Sequence, residues 1–349
     1  MGFFRRKEKK ILVFGPQKGR FEILMKETLR GIEVAREVFG NKRNVEIVFK
    51  RTDLSIDKTY SQLSYLLSRS KYDVVISPLF STYVPAISAV VEKFKVPLLL
   101  TVASVPFISK ISKYSVSLVY TDEDQAKAIV DFSKRYYYVD HLTLIFHLKY
   151  KELSFMAEAI RSRAQEENIN ITQIFKRQEK EISFDPIETD WISKSDMVIA
   201  LGAEEIAMNI NKIVSRSGNR VKILSNDYLS GCNDEKLREL DGVVHTTAYF
   251  PKGGLKGIPK AFLDTYKKKY GNTPNFRAAL AFDAYSVVLH ALNNYDGRGE
   301  LINKIKSGTR YPGSFGEFII EKSGKTRRKV LFVRIENGKR IYEGGIECE

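Results

Sequence analysis

Two cysteines, Cys232 and Cys348, are too few and too far apart for a disulfide framework, and neither has metal-type neighbours that would suggest zinc. A single bridge between them is the most that their number allows. The four histidines, His141, His147, His245 and His290, are scattered and lack paired ligand spacing. His290 falls on an apolar helical stretch and reads as a packed core residue. The single tryptophan, Trp191 in Asp190-Trp-Ile192, reads as a packed surface anchor. No apolar run approaches the roughly 18 residues that a membrane-spanning helix needs. A G-x-S-x-G elbow, a P-loop and a G-x-G-x-x-G fingerprint are all missing, and Gly253-Gly254 with Gly257 is a loop, not a phosphate cradle between strand and helix. These absences leave an enzymatic reading without support, and no cofactor or metal is expected. Helix-turn-helix, zinc-finger and RNA-binding aromatic signatures are also missing, so no nucleic-acid partner is expected. Nothing is low in complexity, and no stretch reads as a flexible linker.

What is present begins with length and charge. At 349 residues the chain exceeds one ordinary core and suits two domains of roughly 150 residues each. The net charge of +15 is spread over Arg5, Arg6, Lys7, Lys9 and Lys10, over Lys267 to Lys269, and over Lys325, Arg327, Arg328 and Lys329. Such scatter reads as solvated surface charge. The basic tail 1–9 resembles the start of a secretory signal. The apolar Ile11-Leu-Val-Phe-Gly15 that follows is too short for an h-region and carries no cleavage site. It reads instead as the first strand. The location is then extracytoplasmic (periplasmic or lipid-anchored) if an export segment has been removed, and cytoplasmic otherwise.

Strand and helix signals alternate along the chain. Strands are predicted over 11–15, 45–49, 72–76, 96–101, 115–120, 142–146, 170–175, 196–201, 221–224, 242–246 and 330–334. Helices are predicted over 22–39, 60–67, 84–94, 123–135, 153–166 and 203–214. An amphipathic helix then runs from Pro259 to a Tyr270-Gly-Asn-Thr-Pro274 stop, and an almost wholly apolar helix extends to Leu292. Short β-rich runs between helices mean βαβ units and parallel sheets. The expected architecture is α/β, with two doubly wound Rossmann-like lobes.

In open α/β sheets, ligands sit outside the carboxyl ends of strands, where helix N-termini offer free N–H groups. The strand 72–76 ends in Ser77-Pro-Leu-Phe-Ser-Thr82. Ser81 and Thr82 are N-cap residue types that could equally turn hydroxyls and amides toward a carboxylate. The strand 96–101 ends similarly, in Val102-Ala-Ser-Val-Pro106.

The helix pair 259–292 resembles a signature of the type I periplasmic solute-binding proteins, in the branch that binds branched-chain and other amino acids for ABC transporters. Asp122-Glu-Asp-Gln-Ala126 resembles that family's opening of the second lobe, His245-Thr-Thr-Ala-Tyr-Phe-Pro251 its return, and Gly316-Glu-Phe-Ile-Ile320 through Lys325 its close. The likeness runs from about residue 10 to about 335. It implies three hinge strands joining a lobe made of 10–119 plus 250–326 to a lobe made of 120–249 plus 327–349. It also implies a non-catalytic, monomeric protein that traps an amino acid or similar small polar ligand between two closing lobes and delivers it to ABC permease subunits. The alternative is a ligand-sensing domain of the same fold with no transport role.

By the same resemblance, Ser81 and the Val102-Ala103-Ser104 triplet would clasp the ligand's polar groups, with Ser104 in place of the family's Thr. Asp227, in Ser225-Asn-Asp227, would meet an ammonium, although an Asp in such a turn also serves as a plain turn or cap residue. Tyr150 is a candidate aromatic contact from the loop His147-Leu-Lys-Tyr-Lys151. Glu204, in Gly202-Ala-Glu-Glu205, is a candidate that also reads as a solvated first-turn residue. These two loops depart from the family pattern, as does 17–24, so the ligand's identity is left open.

Overall fold

The computed structural model describes residues 9–16, 21–40, 45–106, 108–148, 151–176, 183–218, 220–292 and 298–348. The chain makes four passages through two compact units, changing unit after Thr121, Phe250 and Arg328. In the first passage β1 (Lys9–Pro16), α1 (Glu22–Val38), β2 (Val45–Thr52), α2 (Ile56–Arg69) and β3 (Val74–Ser77) alternate. α3 (Val84–Phe94), β4 (Leu98–Leu100), the single turn α4 (Ile108–Ile111) and β5 (Ser115–Ser117) complete it. The second passage runs α5 (Asp122–Tyr137), β6 (His141–His147), α6 (Lys151–Glu166), β7 (Asn170–Lys176), α7 (Pro186–Lys194), β8 (Met197–Leu201) and α8 (Glu204–Ser217). It continues through β9 (Lys222–Ser225), a 3-10 turn Asp227–Gly231, α9 (Asp234–Leu237) and β10 (Val244–Thr247). The third passage holds α10 (Gly257–Tyr270), α11 (Phe276–Leu292), α12 (Arg298–Ile305), β11 (Arg310–Gly313), β12 (Gly316–Ile320) and β13 (Thr326–Arg327). The last holds β14 (Val330–Glu336) and β15 (Lys339–Ile346).

In the first unit the parallel sheet has the order β2-β1-β3-β4-β5. Helices return the chain to either side of β1, so its carboxyl end and that of β3 flank a topological switch point. Ile11 to Phe14 and Val74 to Ser77 are fully buried, as expected of central parallel strands covered on both faces. The edge strand β2 carries Phe49, Lys50 and Arg51 in the open, which accounts for its mixed sequence. α11 buries Ala278 to Val288 without a polar face, the pattern of a helix packed on all sides. Its approach to α1 depends on Gly31, where an added Cβ would lie 2.1 Å from the Ala278 carbonyl oxygen. α10 lies on α1 through a polar seam. The Tyr266 hydroxyl donates to Glu27 Oε2 at 2.6 Å, Arg30 Nη1 donates to Glu27 Oε1 at 3.0 Å, and the Arg30 guanidinium covers the Tyr270 ring at 4.6 Å. Gly271 ends α10 in the left-handed region (φ 73°) that glycine adopts without strain.

Two expectations about this unit need correction. His290 is exposed and not packed in the core. It lies in the last turn of α11, where its Nδ1 donates to Ser286 O at 3.1 Å and its ring stands edge-on to Tyr311. Arg328 is not a solvated surface charge. Its side chain is 9% exposed and its Nη2 donates to Asp283 Oδ2 at 2.5 Å, while the guanidinium lies over the Phe318 ring. Asp283 is completely buried and also accepts from the Ser314 N–H at 2.6 Å and the Ser314 hydroxyl at 3.2 Å. A buried carboxylate needs such partners, and Arg328 supplies the opposite charge. The small antiparallel sheet β11-β12-β13, which receives this pair, lies outside every predicted strand.

The second unit holds one sheet, in the order β15-β14-β10-β9-β8-β6-β7. β7 to β10 and β6 are parallel, while β14 runs antiparallel to β10 and to β15. Its parallel part repeats the winding of the first sheet, with the switch point between β6 and β8. The Gln125 Nε2 of α5 donates to Thr246 Oγ1 of β10 at 2.7 Å, tying the first helix of this unit to the strand that leaves it. α7 was not predicted, although Asp185 and Glu188 form a complete capping box around Pro186. Cys232 and Cys348 are not joined in a disulfide.

Candidate functional site

In the first unit the candidate residues gather at the carboxyl ends of two adjacent strands. β3 and β4 pair in register with Ser77 opposite Leu100, so the turns that follow them start side by side. After β3 the chain runs through Pro78, Leu79 and Phe80 into a 3-10 turn, Ser81–Tyr83, and α3 starts at Val84. Ser81 is half-buried and Thr82 exposed, and neither caps α3: the N-cap position belongs to Tyr83, with no side-chain cap hydrogen bond. The Tyr83 hydroxyl instead donates to Leu54 O at 2.9 Å and braces the turn from the side of α2.

After β4, Val102 and Ser104 are half-buried, whereas Ala103 is completely buried. The Ser117 hydroxyl donates to Ala103 O at 2.6 Å, pinning the middle of the triplet to β5. The Ser77 hydroxyl donates to Phe14 O at 2.9 Å and fixes the root of the first turn. Each candidate turn thus stands on a buried serine of the same sheet. Sequence reasoning missed Phe80, whose ring meets that of Phe21 edge-on at 5.1 Å across the β1–β3 switch point. An aromatic between two turn residues was the available signal.

In the second unit Asp227 opens the 3-10 turn after β9, half-buried, with Tyr228 exposed beside it. Asn226 is buried, and its Oδ1 faces the Gly202 N–H at 3.4 Å, which brings the turns after β8 and β9 together. Glu204 opens α8 and pairs with Lys236 of α9, 32 residues away. Burial works against its ionisation, but the Lys236 ammonium outweighs that and holds the carboxyl below the usual glutamate range. Burial also pushes the nearby Cys232 thiol up. Tyr150 lies outside the described residues.

A second set of groups in this unit has no counterpart among the sequence candidates. His245, on β10, is buried. Its Nδ1 donates to Thr246 O at 2.9 Å, and its Nε2 has no hydrogen-bond partner among the described residues. Burial, with Arg340 nearby, lowers its pKa to about 4, so the ring is neutral at pH 7. The Ser230 hydroxyl donates to the same Thr246 carbonyl at 3.1 Å. Arg340, from β15, donates through Nη2 to Leu229 O at 3.0 Å and to Cys232 O at 2.9 Å. No group of three or more metal-ligating side chains occurs among the described residues.

No curated protein matches the sequence. Among solved structures, an ABC transporter substrate-binding protein from Sphaerobacter thermophilus superposes with a TM-score of 0.85 at 16% identity, covering 98% of both chains. The leucine-binding protein LivK of Thermotoga maritima gives 0.79 at 21% identity, covering 97% of this chain and 98% of that one. LivJ of Streptococcus pneumoniae, a branched-chain amino acid transporter substrate-binding protein in complex with isoleucine, gives 0.79 at 19% identity, covering 98% of this chain and all of the other. At these identities the likeness establishes a shared fold of two α/β lobes. The sequence model of a family described as periplasmic binding protein matches residues 8–340, nearly the whole chain, and the protein therefore belongs to that family.

Proposed function

We propose that the protein is a non-catalytic, monomeric solute-binding protein that takes up an amino acid or similar small polar ligand on the carboxyl-edge turns of its sheets and passes it to the membrane subunits of an ABC transporter. It acts outside the cytoplasm in this reading. One observation carries it: two neighbouring turns, after β3 and β4, present half-buried Ser81 and Ser104, and the first is not spent on side-chain capping of α3. Hydroxyls and turn amides on this edge suit an anionic or carbonyl group, while the carboxylate of Asp227 suits a cationic one. Family membership and the amino-acid complexes of structural relatives support the same class.

A thermal-shift screen with leucine, other amino acids, their amides and small carboxylates tests the proposal. A true ligand at 100 times its Kd adds roughly 2.7 kcal/mol of stability by mass action. In the Ser81→Ala variant the hit should bind about 1–3 kcal/mol more weakly, because a charged acceptor loses a hydrogen bond. No stabilisation by any compound of these classes would remove the proposal. Unchanged affinity in the variant would remove Ser81 from the site.

A further inference from the structure

We infer that Arg340 is a positioning residue that sets the direction of Asp227 toward the ligand, an inference that rests on the binding role proposed above. Asp227 opens a short 3-10 turn, and such turns have poorer hydrogen-bond geometry than an α-helix. The backbone bonds that flank it run from Leu229 N to Asn226 O at 3.5 Å and from Cys232 N to Leu229 O at 3.1 Å. Two side chains fasten the turn to the sheet, Ser230 from within it and Arg340 from β15. Ser230 fastens it to β10 through Thr246 O, and Arg340 grips it from above through the carbonyls of Leu229 and Cys232.

The Arg340 clasp differs from an ordinary surface contact in three ways. It uses a charged donor, which makes hydrogen bonds roughly twice as strong as neutral ones. One planar nitrogen fixes two carbonyls three residues apart, so the backbone between them cannot rotate without breaking a bond. The residue also comes from β15, which β14 and β10 separate from β9, so the turn is braced by a strand with which its own strand does not pair. His245 lies on β10, and because it is neutral it does not repel the guanidinium. A carboxylate held in place before binding loses less freedom on binding, which is how a residue that never meets the ligand contributes to affinity.

Two measurements on the full chain test this. Hydrogen exchange in the ligand-free Arg340→Gln variant should be about tenfold faster at amides 227–232 than in the wild type, with β8 and α11 unchanged. Affinities are then measured for leucine and for 4-methylpentanoate, which lacks only the amino group. Asp227→Asn should erase the preference for leucine. Arg340→Gln should erode the same preference, Arg340→Lys should restore part of it, and the double variant should lose no more than Asp227→Asn alone. Unchanged exchange at 227–232 overturns the clasp. Equal weakening toward both probes in Arg340→Gln overturns the positioning role, since a general loss of structure does not distinguish an amine. A wild-type protein that binds neither probe overturns the ligand role of Asp227, and the exchange result then decides the clasp by itself.

Discussion

Two buried ionisable groups set the strongest expectations at the level of single residues. Asp283 has no solvent contact, and burial pushes its carboxyl above the usual range while Arg328 and Ser314 pull against that. Arg328→Met should cost about 3–5 kcal/mol in urea unfolding, because it leaves a buried carboxyl without its counter-charge. Pairing it with Asp283→Leu should recover much of the loss, and a double variant as unstable as the single one would contradict this account. His245 sets the response to acid. Its folded pKa of about 4 lies below the 6.5 of an unperturbed histidine, so between these values the unfolded chain binds a proton that the folded one refuses. Stability from this residue is therefore complete above about pH 6.5 and is lost as pH falls toward 4, by roughly 3 kcal/mol at most. Unfolding midpoints at pH 7, 5.5 and 4.5 should show that slope, and His245→Gln should flatten it. The Asp283–Arg328 pair was not legible in the sequence. Asp283 sits in an apolar helix and Arg328 in a basic run, and only the β11–β13 sheet brings them together. The hydroxyl turns were legible, because a strand ending in Ser-Pro or Thr-Val before a helix marks a sheet's carboxyl edge. The engagement of Glu204 by Lys236 was not, since α9 places that lysine from another turn.

Elements were readable where periodicity and burial agree. β1, β3, β6 and β8 are central parallel strands whose apolar runs state their burial, and α11 is apolar because it is covered on every side. The unread elements lack that agreement. α7 exposes Ile187 and Trp191 and buries only Ile192, so its capping box outweighs a nearly absent apolar stripe. β11 carries Pro312 and Gly313, and β15 carries Gly344 and Gly345, residues that weaken any strand signal. The α1–α11 contact supplies an expectation at this level. Gly31→Ala should destabilise the protein by roughly 1–3 kcal/mol, because the new methyl meets backbone rather than a side chain that could move. A change within about 0.5 kcal/mol, the range of surface substitutions, would mean that the helices separate freely.

For the molecule as a whole, the excess positive charge is carried mainly by segments other than the candidate turns, the exceptions being Lys149 and Lys151 beside Tyr150, Lys236 paired with Glu204 and Arg340 on the Asp227 turn. Residues 77–83, 101–106, 202–205 and 226–228 contain no lysine or arginine. Ligand affinity should therefore change little between low and moderate salt, while any adhesion to DNA or anionic vesicles should fall steeply. Titrations of both at two ionic strengths check this, and an affinity as salt-sensitive as the adhesion would place basic side chains at the site. The four-passage course of the chain bears on how the protein is made. Neither unit is contiguous, so no ribosome can release a finished one early: the first unit needs α11, and the second needs a partner for the open edge of β10. That partner, β14, is synthesised only after the whole third passage. Nascent chains stalled after residue 328 should thus be cut by protease within the second unit, and chains longer by β14 and β15 should resist. Synthesis leaves the β10 edge open for as long as the third passage takes to emerge, so a chaperone that shields this edge would act during that interval.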